Sequence, residues 1–320
     1  MSDDQDHVAR QRRRRTEGRV YVILGGLAIA NGVALGYGAR WADELWLAPL
    51  AFAAGSAGVW LFRRGKRMSA LTAEELLASD RRPPVLYLRS FQDEDQTSGN
   101  MTRLVGAAPE SEEEVLAEVM AEMGPFVAIG RPGEDLPQLG AARTYVGNDE
   151  WQHKVEDLLA AARLVVFRAG HTPGYWWEVA RAAERVHPHR LVFVLPFRDA
   201  GDYEAGFRKE AEQRLGCKLP PYPARRRFLS GRPSSTAQAL LYFERSRTPH
   251  IALLRASRFS GDETSHFARA LEIALEPVAL ALGVPWTKPL TRKYRRSNQI
   301  AAAVVAFVLG MVVFAAISMS

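Results

Sequence analysis

The chain has 320 residues, of which 47% are hydrophobic, and it carries a net charge of +6 and one cysteine. This length suits one or two domains with a sizeable core. The lone cysteine, Cys217, excludes an intramolecular disulfide and a cysteine-based zinc cluster, and it suits a reducing compartment. A positive net charge by itself is compatible with nucleic-acid binding, so the location of the basic residues decides what the charge means.

Three long stretches of the chain contain no charged residue: Val20–Ala39, Leu45–Phe62 and Ser297–Ser320. About 20 apolar residues cross a bilayer as an α-helix, so each stretch predicts a transmembrane helix. Basic residues flank these stretches at positions 10, 12–15, 19, 63, 64, 66, 67, 292, 293, 295 and 296. This positive-inside pattern favours membrane topology over nucleic-acid binding, because the charges border spans and do not form a stripe with interleaved aromatic residues.

The flanking charges predict a multi-pass protein of the cell's inner membrane. Residues 1–19 form a basic cytoplasmic arm, residues 20–62 a transmembrane hairpin, and residues 68–296 a cytoplasmic domain, while residues 297–320 cross to the outside. The GxxxG spacing of Gly32 and Gly36 predicts close helix packing. A channel or transporter is disfavoured because no acid or base lies inside a predicted span.

The segment 68–296 alternates between short apolar runs and helical patterns. The predicted strands are Val85–Leu88, Phe126–Ile129, Leu164–Phe167, Leu191–Pro196 and Ile251–Leu254. The predicted helices are Ser69–Ser79, Glu112–Met123, Glu150–Ala162, Tyr175–Val186, Tyr203–Leu215 and Asp262–Leu282, the first two with capping-box sequences. Five apolar strands, each followed by a helix, predict an α/β domain with a five-stranded parallel sheet covered on both faces. Residues 237–244 fit either a helix or an edge strand, and residues 218–235 fit an insertion.

An arginine follows each of the five predicted strands: Arg89, Arg131, Arg168, Arg198 and Arg255. Since parallel strands end at one edge of the sheet, these side chains are expected to share the edge where α/β proteins bind ligands. Guanidinium groups bind phosphate and carboxylate, so a nucleotide is the expected ligand. The alternative is that some of these arginines pair with neighbouring acids.

The stretch from Leu164 to Glu178 predicts a strand, a turn and the start of a helix that carries Trp176, Trp177 and Glu178. A carboxylate held against aromatic rings has a raised pKa, and it can transfer a proton or stabilise a developing cation. The alternative role is structural, because acids are favoured in the first turn of a helix and tryptophans are common in cores. No metal site is expected, since the histidines lack partners at ligand spacing.

Residues 85–282 resemble the Toll/interleukin-1 receptor (TIR) domain family and, more loosely, nucleoside deoxyribosyltransferase-like folds. The likeness lies in the first strand followed by Ser90 and acids, in the helix 150–162 that leads into LVVFRAG, and in the Trp-Glu opening of the next helix. The resemblance implies a flavodoxin-like sheet. Some members of the family cleave NAD with a glutamate at the position of Glu178. The family usually spaces its tryptophan and glutamate three residues apart, whereas Trp177 adjoins Glu178 here.

These observations together predict a membrane-anchored, TIR-like domain of bacterial-type signalling or defence that binds an NAD-like nucleotide. Glu178 is the candidate catalytic residue, and NAD is a candidate substrate with no resident cofactor. The candidate ligand-binding residues are Arg89, Ser90, Arg131, Arg168, Trp151 and Trp177. The alternative is a catalytically silent module that forms homo-oligomers at the membrane.

Overall fold

The computed structural model describes residues 2–41, 45–90, 111–130, 139–147, 150–223, 236–254, 263–288 and 290–291. These residues form a sheet whose strands are β1 (Val85–Leu88), β2 (Phe126–Gly130), β3 (Ala142–Tyr145), β4 (Leu164–Arg168), β5 (Leu191–Leu195), β6 (Ala239–Phe243) and β7 (Pro249–Leu253). The order across the sheet is β3-β2-β1-β4-β5-β6-β7. The predicted α/β class is therefore confirmed, and the sheet has seven strands where five were predicted.

The sheet is parallel from β3 to β5 and antiparallel beyond it. The all-parallel prediction is wrong because only residues 244–248 separate β6 from β7, and a parallel crossover needs about a dozen residues or more. Since two successive antiparallel pairings restore the direction, β7 still runs the same way as β1. Residues 237–244, which fitted a helix or an edge strand, contain β6, an internal strand.

The described helices are α1 (Ser2–Trp41), α2 (Ala48–Ser69), α3 (Ala73–Ser79), α4 (Glu112–Met120), α5 (Trp151–Ala161), α6 (Pro173–Arg185), α7 (Ala200–Tyr203), α8 (Lys209–Leu215) and α9 (Glu263–Ala281). A π-helical turn, Glu204–Arg208, joins α7 to α8. Both predicted capping boxes are present: Thr72 with Glu75 begins α3, and Ser111 with Glu114 begins α4. In each box the side chain and the backbone satisfy one another's hydrogen bonds, which fixes where the helix begins.

Alternate side chains of the strands enter two separate cores, one on each face of the sheet. Val85 and Tyr87 of β1 pack on the face covered by α4 and α9. Leu86 and Leu88 pack on the opposite face, which α5, α6 and α8 cover. Because successive strand residues point to opposite faces, a sheet covered twice needs the continuous apolar runs that predicted these strands.

Helices α1 and α2 form an antiparallel hairpin in which glycines lie at the contacts. Gly18, Gly25 and Gly32 of α1 recur at every seventh position. A Cβ atom added at Gly25 would lie 2.5 Å from the backbone nitrogen of Phe62, and one at Gly32 would lie 2.7 Å from that of Gly55. At Gly36 the nearest atom, in Ala51, would be 3.8 Å away. The close contact therefore follows a seven-residue glycine spacing, with only Gly32 of the predicted GxxxG pair tightly packed.

Within the described part of the chain, one helical stretch is long and apolar enough to cross a membrane, Arg13–Gly36 in α1. Three spans were predicted. The prediction for Leu45–Phe62 is not met, because the uncharged α-helical residues 48–62 cover only about 22 Å at ~1.5 Å per residue, short of the ~30 Å hydrocarbon core. The predicted third span, Ser297–Ser320, lies outside the described residues.

Gly25→Ala is expected to loosen the hairpin, whereas Gly26→Ala at the next position is the matched control. No atom lies within 4 Å of a Cβ added at Gly26. Both changes favour helix by up to about 1 kcal/mol, so only the clash at Gly25 distinguishes them. Hydrogen–deuterium exchange of α1 and α2, measured on the full chain in detergent, should accelerate about tenfold for Gly25→Ala alone. Equal exchange in both variants would contradict the tight contact.

Candidate functional site

The sheet reverses its direction of growth between β1 and β4. From β1 the chain adds β2 and then β3 outward on one side, and it then returns to place β4 on the other side of β1. Ligands of open α/β sheets bind outside the carboxyl ends of the strands at such a reversal. A cavity of about 230 Å³ lies at this position.

Residues at or just beyond the carboxyl ends of β1, β2 and β3, together with α5, α6 and the N-cap of α6, form the wall of this cavity. Its described lining residues are Arg89, Ser90, Ile129, Gly130, Val146, Trp151, Thr172, Gly174, Tyr175 and Glu178. The structure therefore brings together four of the predicted site residues: Arg89, Ser90, Trp151 and Glu178. Arg89 and Ser90 follow the carboxyl end of β1, Trp151 begins the helix after β3, and Glu178 lies in the helix after β4. Their assembly therefore depends on the parallel direction of β1, β3 and β4.

The turn after β4 positions Glu178 by ordinary helix-capping chemistry. The hydroxyl of Thr172 accepts a hydrogen bond from the backbone N–H of Tyr175 at 3.3 Å. Pro173 occupies the first helical position, where its missing N–H costs nothing and its fixed φ suits the helix. Tyr175 and Glu178 are three residues apart, so both face the same side of α6 and reach the cavity.

The carboxyl group of Glu178 is enclosed, with only 9% of the residue exposed. Burial raises its pKa to about 8. The charged form is disfavoured because little solvent reaches it, so this carboxyl is mostly protonated at neutral pH. A protonated carboxyl donates a hydrogen bond, and it releases its proton when a positive charge comes close.

Arg89 also lines the cavity, and a carboxylate holds its guanidinium in place. Its Nη1 lies 3.1 Å from Oε2 of Glu113, and its side chain is 4% exposed. The other oxygen of Glu113 accepts hydrogen bonds from Nη2 of Arg143 at 3.0 Å and from the backbone N–H of Ala141 at 3.3 Å. Arg89 therefore meets the cavity as an oriented, ion-paired group.

Arg168 is absent from the described cavity wall, and its side chain lies on the face of the sheet that α4 and α9 cover. Its Nη1 donates to Oε1 of Glu112 at 2.7 Å, and its Nη2 donates to the hydroxyl of Thr236. Glu112 also accepts from the backbone N–H groups of Thr236 at 2.8 Å and Ala237 at 3.2 Å. Burial opposes ionisation of Glu112, but Arg168 and these hydrogen bonds hold its pKa below the ordinary value. Arg168 thus fixes the segment that leads into β6.

The five predicted arginines do not form one open anion-binding surface within the described residues. Arg89 and Arg168 are buried against carboxylates, while Arg198 is exposed to solvent. Arg131 and Arg255 lie outside the described residues. The pairing with neighbouring acids, which the sequence left open, accounts for the first two. In the sequence, the glutamate partners of these arginines are recognisable only as acids in the first turn of a predicted helix. No local pattern indicates which strand each glutamate contacts.

The two predicted aromatic residues meet at the edge of the cavity. The rings of Trp151 and Trp177 make an edge-to-face contact with centroids 4.9 Å apart. Trp151 lines the cavity, and the guanidinium of Arg181 lies 5.7 Å from the centroid of Trp177 on its own helix. Trp176 turns the other way, against Phe207 in the core. The adjacent tryptophans therefore serve different purposes: Trp176 supports the core and Trp177 supports Trp151.

Gly130 and Tyr175 belong to the wall but were not predicted as site residues. The ring of Tyr145 occupies the space that a Cβ at Gly130 would need. Gly130, which has no side chain, permits the close approach of β2 and the residue that ends β3. The signal that identifies Tyr175 is its position one helical turn before Glu178.

Comparison of the chain with protein-family profiles, with curated proteins and with solved structures found no match.

Glu178→Gln is expected to change how stability depends on pH. The folded-state pKa of about 8 lies above the ordinary 4.5, so the protonated carboxyl's contribution to stability is fully present below pH 4.5 and is lost as pH rises through 8. The free energy of unfolding of the wild type should therefore fall, relative to that of the variant, by about 1.4 kcal/mol for each pH unit across this window. Denaturant unfolding at several pH values measures it, with the exposed Glu184→Gln as control. Parallel curves for all three proteins would refute the raised pKa.

Glu112→Ala is expected to lower the free energy of unfolding by about 3 to 5 kcal/mol, because it leaves the Arg168 guanidinium buried without its carboxylate. The double replacement Glu112→Met with Arg168→Met removes both charges and should recover most of that loss. Denaturant titration of the full chain, followed by tryptophan fluorescence, measures both. If the double variant is as unstable as the single one, the ion pair does not account for the effect.

Proposed function

We propose that the cavity binds the nicotinamide-ribosyl end of an NAD-like dinucleotide and that Glu178 promotes cleavage of its N-glycosidic bond. The observation that carries the proposal is a buried carboxyl group, mostly protonated at neutral pH, in a cavity at the reversal point of the sheet. This is where α/β proteins bind nucleotides. The TIR resemblance of residues 85–282 supports the same reaction class.

The size of the cavity limits what it holds. Pockets for whole small molecules measure about 300 to 1,000 Å³. At about 230 Å³ the cavity suits one ring system and an attached sugar, so one end of the dinucleotide is the proposed occupant. Trp151 offers a flat face for the ring, while the hydroxyl of Ser90 and the guanidinium of Arg89 offer donors for sugar or phosphate oxygens.

The proposed chemistry follows from the charge of the substrate. The nicotinamide ring of NAD is a cation, and its approach lowers the pKa of Glu178, which releases a proton and becomes a carboxylate. As the bond from C1 of the ribose to the ring nitrogen breaks, its electron pair goes to the ring and the positive charge moves to the sugar. The carboxylate stabilises this developing oxocarbenium ion. Water then adds to C1 and loses a proton, giving nicotinamide and ADP-ribose.

We also propose that the hairpin anchors this domain to the cytoplasmic face of the inner membrane. Large apolar side chains point outward along α1 and α2, with exposed fractions of 63% for Ile23, 78% for Phe52 and 60% for Trp60. A patch of this kind on a water-soluble protein marks a contact surface. The basic residues at the base of the hairpin suit anionic head groups.

The test of catalysis uses the full chain in nanodiscs with NAD, following nicotinamide release. Glu178→Gln should lower kcat at least about a hundredfold, and Glu184→Gln on the same helix should not change it. For the wild type, kcat/KM should rise about tenfold per pH unit below pH 8 and level off above it. The reason is that the pH dependence of this ratio reports the pKa of Glu178 in the free enzyme.

The competing proposal is a catalytically silent module that self-associates at the membrane. The ion-paired state of Arg89 favours it, because that guanidinium is already committed to Glu113. Absence of turnover in the wild type at high protein density, together with concentration-dependent association in analytical ultracentrifugation, would replace the catalytic proposal by this one. Turnover that is equal in the wild type and Glu178→Gln would remove Glu178 from the mechanism.

A further inference from the structure

A second, larger cavity of about 800 Å³ lies between the base of the hairpin and the α/β domain. The hairpin contributes Val22 and Ile23 of α1 to its wall. The domain contributes Leu76 of α3, Ala117 of α4 and Phe126 at the beginning of β2. These side chains are apolar, so the cavity suits an apolar occupant. It is separate from the smaller cavity that contains Glu178.

The position of this cavity relative to the candidate span decides the kind of occupant. Arg19, Val22 and Ile23 belong to the stretch Arg13–Gly36 that is long and apolar enough to cross a membrane. Arg19 is the last basic residue before the uncharged run Val20–Ala39. With the hairpin anchored in the membrane as proposed above, a cavity bounded by these residues would open at the depth where lipid head groups meet acyl chains.

The cavity wall carries three basic and three acidic side chains: Arg19, Lys66, Arg82, Asp80, Glu114 and Glu118. Nζ of Lys66 lies 3.0 Å from Oε1 of Glu114, and Arg82 pairs with Asp80 at 2.7 Å. Arg19 is exposed and forms no ion pair with another described residue. Its guanidinium is therefore available to an anionic ligand, and Lys66 lines the same cavity.

We propose that this cavity is a binding site for an anionic phospholipid of the inner leaflet. The phosphate contacts Arg19 and Lys66, and one acyl chain lies against Val22, Ile23 and Phe126. Anionic lipid is the source of the phosphate because further basic residues surround the base of the hairpin: Arg14, Arg15, Arg63, Arg64 and Arg67. The site rests on the proposed membrane anchoring and is independent of the proposed catalysis.

The test measures lipid retained by the full chain. The protein is purified in detergent, mixed with phosphatidylglycerol or phosphatidylcholine, and analysed by native mass spectrometry. Phosphatidylglycerol should bind more tightly, and Arg19→Gln should weaken it about fivefold. Arg13→Gln is the matched control, since Arg13 lies on the same helix, is 84% exposed and pairs with Glu17 away from the cavity wall. Equal affinity in the two variants would overturn the site.

Two further experiments distinguish binding of the acyl chain from binding of the head group. Ala117→Phe places a ring in the cavity and should abolish retention without a change in charge; full retention in this variant would overturn the proposal. Soluble glycerophosphoglycerol, which has the head group without chains, should not displace the lipid, and displacement would indicate a free-phosphate site instead. Flotation of the wild type with liposomes is measured first. If the wild type does not float with the liposomes, the anchoring proposal fails. If it floats but Arg19→Gln and Arg13→Gln bind phosphatidylglycerol equally well, only the lipid site is rejected.

Discussion

Three consecutive glutamates in the first turn of α4 hold the α/β domain together. Glu112 binds Arg168 and the segment before β6, Glu113 binds Arg89 and Arg143, and Glu114 binds Lys66 of the hairpin. Successive residues on a helix point about 100° apart, so one turn reaches three directions. The glutamates are buried, and each lost partner would leave an uncompensated charge. This turn therefore connects the strands of the reversal point to one another and to the hairpin of α1 and α2.

The cavity at the reversal point takes its electrostatic asymmetry from this arrangement. Glu113 fixes Arg89 on one wall as a charged and oriented donor. Glu178, in the same lining, is shielded from solvent, and burial raises its pKa to about 8. A cation that enters the cavity would meet a carboxyl ready to ionise, whereas an anionic phosphate would meet a fixed guanidinium. The proposed dinucleotide carries both kinds of charge, so Arg89 and Glu178 together would suit it better than either residue alone.

The sequence predicted the elements well where the signal is local, because continuous apolar runs mark β1, β2, β4 and β5 and capping boxes mark α3 and α4. It did not predict β3, whose residues ARTY are too few and too polar to stand out. It also did not predict the partners of the arginines, since 56 positions separate Arg168 from Glu112 and only the folded sheet brings them together. Glu178 was identified because its turn, its tryptophans and its carboxylate are adjacent in the chain.

The junction between the hairpin and the domain leaves an apolar gap that the proposed lipid would fill. Arg15 pairs with Glu75 and Lys66 with Glu114, so polar contacts fix the base of the hairpin. Between these contacts the walls are apolar, and about 800 Å³ separates them. A protein core of that size would be filled by interdigitating side chains, since interiors pack at the density of organic crystals. Apolar walls bounded by charges, beside a helix long enough to span a bilayer, are the arrangement in which an acyl chain supplies the missing packing.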